Sequence, residues 1–130
     1  MNEGLFIEHR RHHRFRGTDG ALAAFSMPGS QAFVKLGEII DINEKGLSLC
    51  YVSTSKQANI PPQLDIFGYR GPHIHISGIP CKIVYENELL PVDDSAVAKR
   101  CGVLFCDLTS TQRFQLEQFI KSYTLPDSLL

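Results

Sequence analysis

Apolar and polar positions alternate along most of this chain. Val34, Leu36, Ile40 and Ile42 form one apolar set, interleaved with Lys35, Gly37, Ile39 and Asp41. That is the period-2 signature of a half-buried strand. Asn43-Glu44-Lys45-Gly46 follows with turn chemistry, since Asn tolerates left-handed backbone and Gly takes positive φ without steric cost. An apolar run rich in β-formers then covers 47–52. The spacing predicts a hairpin with strands near 32–42 and 46–52. Downstream, 53–63 carries Lys56, Gln57, Asn59, Pro61 and Pro62 and reads as loop. Leu64-Asp65-Ile66-Phe67 is a short strand, and His73-Ile74-His75-Ile76-Ser77 alternates cleanly. Gly78 and Pro80 interrupt that alternation, which suggests a bulge or an edge. It resumes over 81–86; 87–99 is polar, contains Pro91 and reads as a loop, with Asp93-Asp94 a solvated turn; Cys101, Val103 and Phe105 then alternate with Gly102, Leu104 and Cys106 in a last strand.

A helical period emerges only at the end. Thr109 and Gln112 have the spacing of a capping box, in which each side chain satisfies a backbone N–H at the helix start. Leu116, Phe119, Ile120 and Tyr123 then share one face, and Pro126 closes the segment. The expected fold is all-β with a C-terminal helix: six short strands in a small antiparallel β-barrel, closed because closure removes exposed edges.

Composition narrows the function classes. The chain has 130 residues, enough for one domain and cramped for two. With 43% hydrophobic and 21% charged residues it has the makeup of a globular protein. A net charge of −1 argues against a protein that coats nucleic acid with its whole surface. Cys50, Cys81, Cys101 and Cys106 form no C-x-x-C pair and read as reduced core thiols of a cytoplasmic protein. Neither a signal-peptide pattern nor an apolar stretch long enough to span a membrane is present, so no membrane insertion is expected. Charge is nevertheless uneven. Arg10, Arg11, Arg14 and Arg16 place four of the 13 Lys+Arg within seven residues, interleaved with His12, His13 and Phe15. The like charges and scarce apolar anchors of this arm predict that it is mobile until a ligand orders it.

Catalytic signatures are weak. No serine sits in a G-x-S-x-G elbow. His73 and His75 point the same way from a strand but have no acidic or cysteine partner at metal-ligand spacing, so they read as exposed or internally satisfied histidines. Phosphate chemistry is better served. Guanidinium forks match phosphate oxygens and guanine edges, and Arg10 and Arg14 stand at i, i+4 with Arg11 beside them. At the hairpin, Asp41 is an acceptor-only group suited to the N1–H and N2–H₂ donors of guanine. Asn43 lies two residues on, toward the same side, and Gly46 allows a close backbone approach.

R-x-x-x-R at Arg10 and Arg14, D-x-N-x-x-G at Asp41, Asn43 and Gly46, and a closing Arg100-Cys101-Gly102-Val103-Leu104-Phe105 strand leading into Leu108-Thr109 and a helix together resemble a PilZ domain. The resemblance covers roughly residues 8–123, with Asn43 standing where that family usually has Ser. It implies a six-stranded PilZ-type barrel at 8–124, with a basic arm at 8–17, a barrel at about 20–107 and a helix at about 110–123. Short tails at 1–7 and 125–130 flank it. It also implies a bacterial, cytoplasmic, non-enzymatic receptor for cyclic di-GMP, with no cofactor, no metal and no catalytic residues. The ligand set would be Arg10, Arg11, Arg14, Asp41, Asn43 and Gly46, and the signal would pass in trans to a protein effector. The alternatives are a degenerate PilZ-type adaptor that binds a protein partner without nucleotide, and a small single-strand nucleic-acid binder. The latter calls for stacking aromatics along a strand face, and here they are scattered.

Overall fold

A computed structural model describes residues 14–29, 32–54 and 62–125. Among the described residues, seven strands precede one helix: β1 (Phe15–Arg16), β2 (Ala21–Ser26), β3 (Phe33–Ile42), β4 (Gly46–Thr54), β5 (Gln63–Gly68), β6 (Ile74–Asp93), β7 (Ala96–Phe105) and α1 (Ser110–Tyr123). All strand pairs are antiparallel. The pairings run β3-β2-β5-β6-β7-β4, and β4 returns to β3, so six strands close into a ring with β1 appended to β3. The all-β class, the hairpin at β3–β4 and the C-terminal helix match the sequence expectation.

The core lies inside the ring, where Phe25, Ile42, Leu47, Leu49, Leu64, Ile66, Ile76, Ile79 and Val103 are fully enclosed. Helix α1 adds Leu116, Phe119 and Tyr123 to it. The capping box between Thr109 and Gln112 is formed. Gln112 Nε2 also donates to the Ser77 carbonyl at 2.9 Å, which ties the helix start to β6. At the other end the Tyr123 hydroxyl donates to the Pro72 carbonyl (2.6 Å) and accepts from the Gly71 N–H (2.8 Å).

Four features depart from the alternation pattern. The Ala-rich segment 21–26 gave no strand signal, yet β2 lies in the ring with its small side chains buried. The strands expected at 73–77 and 81–86 are one strand, β6, which passes through a bulge at Gly78 (φ +66°). The expected loop at 87–99 is instead the long β6–β7 hairpin, turning at Asp94 and Ser95. Pro91 is tolerated there because, among the described residues, β6 beyond Cys81 pairs with β7 alone and its other side needs no N–H donor. In the turn, the Ser95 backbone N–H donates to Asp93 and holds that carboxyl below its ordinary range.

The fourth departure concerns β3. Leu36, expected on the core face, is 58% exposed, whereas Ile39 is buried. One irregularity in the β2–β3 register gives β3 an extra residue between Val34 and Gly37, where Lys35 takes φ +56°. A second one falls between Ile39 and Asp41 against a single step on β4. Each extra residue swaps the faces of a strand whose side chains otherwise alternate.

Candidate functional site

Ile42, Leu47, Cys101 and Val103 point into the core, so Asp41, Ser48, Gly102 and Arg100 project from the outer surface of β3, β4 and β7. Register aligns Arg16, Asp41, Ser48, Gly102 and Tyr85 in one row across β1, β3, β4, β7 and β6. At strand spacings of 4.7–4.9 Å, Tyr85 stands roughly 14 Å from Asp41 along that row. A Cβ on Gly102 would overlap the Tyr85 ring, which occupies the space over this bare position.

Asp41 is the hub. Its Oδ1 accepts from Arg14 Nη1 at 2.8 Å and from Ser48 Oγ at 2.9 Å. Its Oδ2 accepts from Arg100 Nη2 at 3.1 Å, and the same nitrogen lies 3.2 Å from Ser48 Oγ. Side-chain exposures of 39% for Arg14, 37% for Arg100 and 19% for Asp41 leave the cluster open to a ligand. Cys50 neighbours Arg100 across the β4–β7 pair; burial raises its thiol pKa, and the guanidinium acts in the opposite direction.

Of the six sequence-derived residues, Arg14 and Asp41 are brought together. Arg10 and Arg11 lie outside the described residues, as does most of the arm expected to be mobile. The arm's end is not loose, because Phe15 and Arg16 pair with Ile42 and Asp41. Asn43 is buried within the turn, where its Oδ1 accepts from the N–H groups of Lys45 (2.7 Å) and Gly46 (3.0 Å). Gly46 is required by the fold itself: a Cβ there would collide with the Val103 carbonyl. Ser48, Arg100 and Tyr85 were not anticipated as site residues. Their one sequence signal is outward-facing chemistry on strands flanking the hairpin, and register is needed to align it.

A second polar cluster lies on β2, β5 and β6. Asp65, buried, accepts from Ser26 Oγ (2.9 Å) and the Gly78 N–H (3.0 Å), and pairs with His75 Nε2 (2.6 Å). His75 also stacks on Phe67, with ring centroids 4.6 Å apart. This internally satisfied histidine borders an open depression of about 660 Å³. Among the described residues no group of three or more His, Cys, Asp or Glu side chains is placed to hold a metal ion. No described helix is long and apolar enough to cross a membrane.

Neither a known family's sequence profile nor a curated protein matches the chain. Solved structures do. The PilZ domain of YcgR from Escherichia coli, solved with c-di-GMP, superposes with a TM-score of 0.61 at 15% identity over 87% of this chain and 89% of that one. A structure of YcgR in complex with c-di-GMP, also from Escherichia coli, gives a TM-score of 0.56 at 13% identity; it covers 87% of this chain but 45% of that longer one. The chain therefore has a PilZ-like fold.

Proposed function

We propose that this chain is a non-enzymatic receptor for cyclic di-GMP, working in the bacterial cytoplasm and relaying ligand binding to a protein effector. The observation that carries the reading is the ion pair between Arg14 at the end of the basic arm and Asp41 at the hairpin, 27 residues apart, on a PilZ-like fold. Such an arrangement suits a ligand that combines phosphate with guanine. Arg10, Arg11 and Arg14 supply forks for the phosphates. Asp41 accepts the N1–H and N2–H₂ donors of a guanine, while Asn43 and Gly46 shape the turn that presents it. Because Arg14 already occupies Oδ1 of Asp41, binding is an exchange: a ligand phosphate takes Arg14 and the freed carboxylate takes the base. That exchange links ligand binding to the position of the arm, which is what a partner in trans would sense.

A second reading, an adaptor of the same fold that binds a protein partner and no nucleotide, is favoured by one observation. The Asp41 carboxylate is already satisfied by Arg14, Ser48 and Arg100. Calorimetry with cyclic di-GMP, GTP and a short oligonucleotide separates the two. The receptor reading expects saturable binding of cyclic di-GMP alone, and weakening of roughly 10- to 100-fold in Arg14→Ala, the range for a charge-assisted hydrogen bond. Asn43→Ser should change affinity by less than about tenfold. Failure of both wild type and Asn43→Ser to bind, with the fold intact by circular dichroism, rejects the receptor and leaves the adaptor.

A further inference from the structure

Arg100 projects from the outer face of β7, with Cys50 and Asn87 as its cross-strand neighbours. A guanidinium has five N–H donors. Among the described residues, Arg100 engages acceptors through Nη2 alone, on Asp41 Oδ2 and Ser48 Oγ. Its Nε is enclosed and has no acceptor, although the side chain as a whole is 37% exposed. Two bonds to one nitrogen therefore hold the resting pose, and the remaining donors are unspent. With Nε enclosed, the donors of Nη1 are left over, and they fit a further acceptor arriving at this spot.

Guanine supplies that acceptor in the right order. Its Watson–Crick edge presents the N2 amine, N1–H and then O6: two donors followed by an acceptor. A carboxylate facing the two donors must be flanked, on the O6 side, by a donor. Adenine offers the opposite pattern at both places, a ring-nitrogen acceptor at N1 and an amine at N6. We propose, on the reading that Asp41 faces a guanine, that Arg100 donates to O6 of that base and that the Asp41–Arg100 pair selects guanine over adenine. Arg14 cannot take this role, because it belongs to the arm and is exchanged onto phosphate. Arg100 stays on the sheet, braced by Ser48.

The test pairs a protein change with a ligand change. Wild type and Arg100→Met are titrated calorimetrically with cyclic di-GMP and with the cyclic dinucleotide of 6-thioguanine, which keeps the N1–H and the N2 amine and replaces O6 with sulfur, a weak acceptor. Arg100→Met should weaken cyclic di-GMP binding by roughly 10- to 100-fold. The same substitution should change affinity for the 6-thioguanine ligand by less than about threefold, because the strong acceptor it served has already been replaced. Arg100→Lys should recover only part of the loss, since it lacks the planar fork. Circular dichroism confirms that each variant is folded. An equal loss for both ligands overturns the proposal and makes Arg100 a brace for Asp41 only. Undiminished cyclic di-GMP binding by Arg100→Met also overturns it, while leaving the receptor reading standing. Absence of saturable binding in wild type overturns both.

Discussion

Asp41→Asn isolates the charge at the centre of the outer-face cluster. The substitution preserves size and one acceptor oxygen, which can still serve Arg14 or Ser48. It replaces the other oxygen with an amide whose N–H groups face the donors of Arg100, now 3.1 Å away. Two ion pairs lose their charge, and two guanidinium groups are left without the carboxylate between them. Both arginines are more than one-third exposed, so the screened range of about 0.2–1 kcal/mol per pair applies rather than a buried-pair value. With the lost hydrogen bond, the expected destabilisation is about 1–2 kcal/mol. For a domain of this size that corresponds to a Tm drop of roughly 3–10 °C. Urea denaturation followed by circular dichroism measures it without adding ionic denaturant. Repeating the series in 1 M NaCl, where the Debye length shrinks to about 3 Å, should narrow the gap between wild type and variant by roughly half. A gap that ignores salt, or one above about 4 kcal/mol, would mean that Asp41 acts as a packed structural element and not as a solvent-screened charge hub, and the reasoning about an exchangeable site would fall with it.

Two further outcomes test the frame around the site. Tyr123→Phe removes one hydroxyl that both donates to Pro72 and accepts from Gly71, and should cost about 1–2 kcal/mol in urea denaturation with no change in fold; an unaltered midpoint would show that these bonds do not anchor α1. Burial pushes the thiol of Cys81 up to about 12 and that of Cys101 up to about 11, so the unfolded chain ionises these cysteines first as pH rises above their ordinary value of 9.0. The stability they contribute is fully present below pH 9.0 and is lost as pH climbs through the folded-state values. Cys81→Ala should flatten the decline measured between pH 9 and 11, and an identical slope in the variant would show that the thiol is not protected.

The elements legible in the sequence were those fixed by local chemistry. The β3–β4 turn is written in Asn43 and Gly46, and the helix in Thr109, Gln112 and the Leu116–Phe119–Tyr123 face. What stayed hidden depends on partners distant in the chain. Ala21, Ala23 and Ala24 have little strand propensity of their own, and β2 exists because β3 and β5 pair with it on both sides. The hairpin arm at 87–93 looked like a loop because its side chains are mostly exposed and it holds a proline, both compatible with an edge strand.

The site follows the same division, and two single-residue insertions explain it. Ile39 and Leu49 face each other inside the ring, and strict alternation would send Asp41 inward after Ile39. The extra residue between them, Ile40, turns Asp41 outward opposite Ser48 and returns Ile42 to the core. On β6 the register likewise gains a residue between Ile83, opposite Val103, and Tyr85, opposite Gly102, and this swings the Tyr85 ring onto the outer face. Without the first insertion the carboxylate would be driven into an apolar core, where burying an unpaired charge is prohibitive. Without the second, the aromatic would leave the row that Asp41 joins. The motif residues named the chemistry of the hairpin, but the bulges decide which face carries it. That is why Arg100 and Ser48, 59 and 7 residues from Asp41, meet it only after folding.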